Sequence, residues 1–203
     1  MEYLDRLTCK EITESLSGAD RRTSSSDLPL PAIGQDYRPA GVLLPLHRVY
    51  DGWHITFIRR AHHVDDHHSG QVAFAGGKHE SGDSDLVETA LREAHEEIGL
   101  HPDHVSVLGQ LNRHYSVSGF RITPVVACIE WPLELRPEPG EVARIFSIPL
   151  RWLADQHHYR QEMRDVGGVP VPVVYYDEYD GELLWGATAR MTLSLVNALV
   201  GDR

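Results

Sequence analysis

Gly76-Gly77-Lys78-His79-Glu80-Ser81-Gly82-Asp83, followed by Leu91-Arg92-Glu93-Ala94-His95-Glu96-Glu97-Ile98-Gly99-Leu100, is the stretch that decides how the chain folds. At about 100° per residue, a helix from Asp85 to Ile98 gathers Leu86, Val87, Ala90, Leu91, Ala94 and Ile98 on one stripe. Glu93, Glu96 and Glu97 fall on the neighbouring stripe, because spacings of three and four bring side chains together. Arg92 reaches Glu96 at the same spacing. Asp85 with Glu88 three residues on predicts a capping box, and Gly99 a left-handed stop after the last turn.

Three glutamates on one helical face repel one another. Hard divalent cations relieve that repulsion and prefer oxygen ligands, so Mg²⁺ or Mn²⁺ is the expected occupant. Such ions polarise phosphoryl oxygens and acidify water, and a spare carboxylate can accept the proton. The Gly76-Gly77 turn brings bare backbone to the same place, which makes the Gly77 carbonyl a further candidate ligand. A solvated, charge-rich surface helix would show the same acids. Against it stand the absence of Lys at the i+4 positions and the strand-Gly-Gly turn that delivers the acids. On the residues alone both readings stand.

Outward from this helix, the chain reads as short β-rich runs. Residues 41–46 and 54–58 predict two strands joined at Asp51-Gly52, and residues 71–74 a third strand stopped by Gly76-Gly77. Residues 105–111, 122–129, 142–146, 169–176 and 182–185 read as further strands, the last two around an Asp180-Gly181 turn. Residues 4–17 predict an amphipathic helix ending near Gly18, and Ala187–Val200 a closing helix. Trp152 falls in a short helix or turn after Pro149. Ser24 to Pro31 reads as a linker. Mixed strands with helices on either side predict an α/β/α sandwich around a mixed sheet. The expected division is an N-terminal helix and linker over residues 1–38 packing on a domain formed by residues 39–203.

At 203 residues, with 41% hydrophobic and 24% charged residues, the composition is that of a globular domain with a substantial core. No apolar run is long enough to span a bilayer, and the start of the chain does not resemble a secretory signal. The net charge of −11 argues against general nucleic-acid binding. It also favours a cation between the protein and any anionic substrate. Cys9 and Cys128 give no disulfide framework and read as buried filler, with a reducing cytoplasm as the simplest compartment. The expected partner is a small-molecule nucleotide, with neither nucleic acid nor membrane involved, and pairing of two copies is left open.

The run Arg92-Glu93-Ala94-His95-Glu96-Glu97-Ile98-Gly99-Leu100 resembles the second half of the signature of the Nudix hydrolase superfamily. From Gly77 to Arg92 there are 14 intervening residues, one more than the usual box. That extra residue resembles the coenzyme A pyrophosphatase branch. The likeness continues in His68-Ser69-Gly70-Gln71-Val72-Ala73-Phe74-Ala75-Gly76-Gly77, with Ala75 in place of the usual Pro. It extends through Gly119-Phe120-Arg121-Ile122-Thr123-Pro124-Val125-Val126, Glu141-Val142 before Ile148-Pro149-Leu150, and Trp185-Gly186-Ala187-Thr188-Ala189-Arg190. Packing is the first role expected of the last two stretches.

The resemblance implies a Nudix-like α/β/α sandwich that hydrolyses coenzyme A or an acyl derivative to 4′-phosphopantetheine and adenosine 3′,5′-bisphosphate. It implies catalytic roles for Glu93, Arg92, Glu96 and Glu97. Metal would be held by Glu93, Glu97 and Glu96, with Gly77 and the distal Glu141. Glu93 would also help activate water, and Arg92 would orient the acids. Glu80 and Asp83 would cap the helix, pair with Arg92 or touch the metal.

The stretch Phe57 to His68 departs from the branch. Arg59-Arg60 aligns with its upstream pattern only if one residue is inserted. Thr and Ser are absent there, and Asp66 stands near the place of a second Arg, where an acid opposes a 3′-phosphate. Arg60, Lys78, His68 and Arg59 are the candidate substrate-binding residues, with Arg113 and Arg121 behind them. His62, His63, His67 and His68 read as a solvated loop rather than a transition-metal site. Tyr115 and Trp131 could stack on adenine, with core packing the better expectation for Trp131. Other diphosphates (ADP-ribose, NADH, a dinucleotide polyphosphate) remain open, as does a nucleotide sensor without turnover.

Overall fold

The computed structural model describes residues 2–19, 36–63, 68–166 and 168–201. The expected linker at residues 24–31, and His67 and Asp66, lie outside them. A short 3₁₀ turn, Leu4–Arg6, precedes α1 (Cys9–Ala19). There follow β1 (Arg38–Val49), β2 (Gly52–Arg60), β3 (Val72–Ala73), β4 (Gly76–Lys78), α2 (Leu86–Ile98), β5 (Val105–Gln110), β6 (His114–Tyr115) and β7 (Phe120–Ile129). The chain continues with β8 (Val142–Pro149), α3 (Leu150–Leu153), β9 (Tyr159–Val166), β10 (Val169–Tyr176) and α4 (Gly186–Val200).

The main sheet runs β3-β2-β1-β7-β5, with β4 also on β1, β6 on β7 and β8 on β2. β1 and β7 pair in parallel from Arg38 opposite Phe120 to Leu46 opposite Cys128, while the other pairs are antiparallel. The sheet is therefore mixed, and it is covered on both faces. Val42, Leu44, Leu46, Val126 and Cys128 belong to one buried cluster, which also contains Ile12 and Leu16 of α1 and Leu195 and Leu199 of α4. Leu43, Val125, Ala127 and Ile129 point the other way, against Ala90, Ala94 and Ile98 of α2. Burial on both faces explains why Val42–Leu46 is a continuous apolar run rather than an alternating one.

The helix at the centre of the reading forms as predicted. The Asp85 carboxylate accepts hydrogen bonds from the Val87 and Glu88 amides, and Gly99 closes the helix in the left-handed region at φ 66°. Glu88 reaches back one residue further than a capping box requires, accepting from the Ser84 amide at 2.6 Å. Gly41 lets α2 settle on β1: a Cβ there would overlap the Leu86 carbonyl oxygen.

Several expectations need correction. Gly76-Gly77 is not a turn; it is the start of β4, because pairing with Val42 and Gly41 supplies the ladder that glycine's weak strand preference would not. Residues 182–185 form only isolated bridges, Tyr179 to Glu182 and Tyr175 to Trp185, around the positive-φ turn at Asp180-Gly181. β6 and β9 are additional strands. Trp131 is 42% exposed, stacked on His47 at 4.1 Å between ring centroids, and is not a core residue. Cys9 and Cys128 are joined in a disulfide, with Cα atoms 6.7 Å apart. They are not independent filler. The packing of α1 over the sheet brings them together, and the bridge removes the argument for a reducing compartment that two free thiols had offered.

Candidate active site

β4 runs along the outer side of β1 and carries the box glycines past the middle of α2. Gly77 faces α2, where a Cβ would overlap the Glu93 carboxyl group. Gly76 donates its amide to Glu97 Oε2 at 3.0 Å. Two of the three box glutamates therefore meet the glycine strand directly. The third does not: the Glu96 side chain is 57% exposed and turns toward Arg92. Glu97 is 3% exposed, so burial distinguishes acids that the helical wheel placed alike, while Glu93 and Glu96 still share one terminal nitrogen of Arg92.

Arg92 is the hub of the site. It donates Nε to Asp83 Oδ1 at 2.9 Å and a second nitrogen to Asp83 Oδ2 at 3.1 Å. It also binds Glu96 at 2.9 Å, Glu93 at 3.1 Å and the Lys78 carbonyl at 3.2 Å. Asp83 is further held by the Thr89 hydroxyl and the Glu80 amide. This fork ties β4, the loop that follows it and α2 into one unit, and planar guanidinium geometry suits that task better than an ammonium would.

The electrostatics divide the acids into two kinds. The hydrogen bonds from Arg92, with those from Glu80 and Thr89, hold Asp83 well below the usual carboxylate range. Burial pushes Glu97 up to about 7; the Gly76 amide and Arg60 oppose the shift, while Glu93 and Glu141 add to it. Glu93 is also raised, chiefly by burial, with Glu96 and Glu141 contributing and Arg92 opposing. Glu93, Glu97 and Glu141 are thus near enough to feel one another. Glu141 comes from the loop before β8, which is anchored by Glu138 donating to the Glu97 carbonyl and Ala61 donating to the Glu141 carbonyl.

Among the described residues, no three Asp, Glu, His or Cys side chains converge on one point. Glu93 is drawn to Arg92, and Glu97 to the Gly76 amide. The chemistry of the donors nevertheless fits a hard divalent cation. A buried carboxylate with one amide donor among the described residues, near two further acids, is costly when ionised unless a positive charge joins it.

The other candidates are placed as follows. Arg60, at the end of β2, lies within electrostatic reach of Glu97. Lys78 is exposed and its side chain leaves β4 on the face away from α2. Arg59 is engaged by the buried Glu182 at 2.9 Å, a carboxylate that Arg144 shares at the same distance. His68 meets Gln71 at 3.1 Å. Tyr115 packs edge-on to Tyr37 at 4.9 Å. The Arg59–Glu182 pair spans 123 residues, and nothing local in the sequence signals it.

The NUDIX domain model matches residues 38–166, more than half of the chain. The protein belongs to the Nudix family. Among its relatives is the uncharacterized Nudix hydrolase NudL of Yersinia enterocolitica, 42% identical over 137 residues, covering 68% of this chain and 69% of the relative. NudL of Enterobacter sp. strain 638 is 39% identical over 161 residues, covering 78% and 81%. The Nudix hydrolase RenU of M. smegmatis shares the fold, with a TM-score of 0.53 at 20% identity over 82% of this chain and 89% of that one. This Nudix protein is accordingly a hydrolase of a nucleoside diphosphate derivative, from a family that generally uses divalent ions such as Mg²⁺ or Mn²⁺. None of its described helices is long and apolar enough to cross a membrane.

Proposed function

We propose that this Nudix hydrolase cleaves the diphosphate of coenzyme A or an acyl derivative, giving 4′-phosphopantetheine and adenosine 3′,5′-bisphosphate. The observation that carries the reading is the packing of Glu93 and Glu97 against the bare backbone of Gly77 and Gly76. Glu93, Glu97 and Glu96 with the Gly77 carbonyl and Glu141 are the ligands assigned to Mg²⁺ or Mn²⁺. When bound, the cation supplies charge to the phosphoryl oxygens and lowers the pKa of water.

The protein groups do the rest. Arg92 fixes the acids relative to β4, and Glu93, raised by burial, accepts the proton of the attacking water. Arg60, on the Glu97 side, and Lys78, at the end of β4, hold the substrate's phosphates; His68, and Arg59 from beside Glu182, complete the candidate contacts. The one-residue extension between Gly77 and Arg92 supports the coenzyme A branch. Retention of Glu93, Glu96 and Glu97 supports turnover over a binding-only role.

Steady-state rates with Mg²⁺ and with Mn²⁺ on coenzyme A, an acyl-coenzyme A, ADP-ribose, NADH and a dinucleotide polyphosphate test the proposal. Highest kcat/KM on a coenzyme A species, with adenosine 3′,5′-bisphosphate as product, is expected. A wide margin for ADP-ribose over coenzyme A ends the substrate assignment.

A further inference from the structure

Glu141 comes to the site from the loop before β8, and its main chain is held on both sides of its Cα. The Glu141 carbonyl accepts from the amide of Ala61, just past the end of β2, at 2.7 Å. The Glu138 carbonyl accepts from the amides of Glu141 at 2.9 Å and Val142 at 2.8 Å. The Glu138 amide donates to the Glu97 carbonyl at 2.8 Å, which sets this turn against the end of α2. The remaining group is the Gly140 carbonyl, and it accepts from Nε2 of His63. A carbonyl can only accept, so that nitrogen carries the proton.

Peptide units are planar, so holding both the oxygen and the amide of one unit fixes the direction in which its Cα lies. The unit from Gly140 to Glu141 is held by His63 at its oxygen and by Glu138 at its amide. The unit from Glu141 to Val142 is held by Ala61 and Glu138. All of these contacts run between main-chain groups except that of His63, which is a side chain. Its own backbone is gripped in turn by Ser69, whose hydroxyl accepts from the His63 amide at 2.8 Å and donates to the His63 carbonyl at 2.6 Å. An exposed imidazole is thereby fixed at both ends, which a merely solvated loop residue would not be. The charge of Glu141 acts on both Glu93 and Glu97, so the placement of that one residue bears on all three acids. Carboxylates that share a hard divalent ion must meet it over a narrow range of distances. A shift of the peptide between Gly140 and Glu141 moves one of these acids relative to the other two.

We propose that His63 is a positioning residue, which through the Gly140 carbonyl sets where Glu141 meets the divalent ion that it shares with Glu93 and Glu97. The inference rests on the reading of Glu141 as a metal ligand given above. Ser69 directly follows His68, a candidate substrate contact, so the same tie joins the loop after β2 to the metal ligands.

Mn²⁺ alone, titrated into the full chain and followed by the electron paramagnetic resonance of the free ion, tests this without turnover. His63→Leu is expected to weaken binding by about 10-fold, as loss of a group that orients a metal ligand does. His63→Gln carries an amide N–H the same number of bonds from the backbone and recovers most of the affinity. His63→Asn is polar but too short to reach, and behaves like His63→Leu; it serves as the test should the leucine variant fail to fold. His62→Leu, at the adjacent exposed imidazole, binds like wild type. Glu141→Gln weakens binding by itself, and His63→Leu added to it weakens binding no further, because the imidazole acts only through that carboxylate. Unchanged affinity in both His63→Leu and His63→Asn, an equal loss in His62→Leu, or losses that multiply in the double variant overturn the proposal. Unchanged affinity in Glu141→Gln also overturns it, since His63 then has no ligand to position. The expected pattern in a protein that hydrolyses no coenzyme A species supports the positioning role and overturns the substrate assignment alone.

Discussion

Arg92 and Asp83 face each other through two parallel hydrogen bonds, Nε to Oδ1 at 2.9 Å and a terminal nitrogen to Oδ2 at 3.1 Å. Through this fork the loop before α2 is clamped to the helix that carries the candidate catalytic acids. Asp83→Asn removes the charge and one of the two acceptors. We expect a loss of roughly 1–2 kcal/mol in chemical denaturation at pH 7, given the partial exposure of Arg92. Asp83 is held below its unfolded pKa, so its contribution is present at neutral pH and is lost as pH falls below the ordinary carboxylate range. The gap between variant and wild type should therefore be constant from pH 5 to 8 and close in acid. An equal gap at all pH values contradicts the ion-pair account.

Gly77 and Gly41 make a second, contrasting pair. A Cβ on Gly77 meets the Glu93 side chain, which can move, whereas a Cβ on Gly41 meets the Leu86 carbonyl, which cannot. Gly77→Ala should fold with near-wild-type stability yet lose about 10-fold or more in kcat, because a displaced carboxylate is a misplaced metal ligand. Gly41→Ala should cost about 1–3 kcal/mol by separating α2 from β1. Thermal denaturation and initial rates on the two variants give the comparison. Equal activity in Gly77→Ala and wild type removes Glu93 from the site.

His47 is buried, with Nδ1 meeting the Thr56 hydroxyl at 3.1 Å and Trp131 stacked on its ring. Burial, with the nearby His54, lowers its pKa to about 4. The imidazole stays neutral in the folded protein while the unfolded chain protonates near 6.5. Stability from this residue is thus complete above pH 6.5 and declines as pH falls toward 4, by about 1.4 kcal/mol per pH unit. ¹⁵N NMR titration should show a midpoint near 4 for His47, and His47→Gln should flatten the acid side of the stability profile. A midpoint near 6.5 rules this out.

Much of this was legible before the structure. α2 was bounded by a capping aspartate and a C-terminal glycine, both local devices, and the buried runs at Val42–Leu46 and Val125–Ile129 needed only their apolar continuity. What could not be read depends on residues far apart. Gly76-Gly77 becomes a strand through β1, and Cys9 meets Cys128 across 119 residues. β9 hides its alternation under Arg160, Glu162, Arg164 and Asp165, because a strand of a two-stranded ribbon need not bury a face. Within the site, spacing gathered Glu93, Glu96 and Glu97 equally. The depth of each relative to β4 sends Glu96 to solvent and Glu97 inside, and that depth is a tertiary property.

The sharpest test is Glu97→Gln. The amide keeps the size of the side chain and can still accept from the Gly76 amide, but it lacks the charge that a divalent ion needs. With circular dichroism and melting temperature matched to wild type, kcat on the best diphosphate substrate at saturating Mg²⁺ should fall by about 100-fold or more, with Mn²⁺ affinity reduced in parallel. Full turnover and unchanged Mn²⁺ binding in that variant would place the metal and the chemistry elsewhere in the molecule.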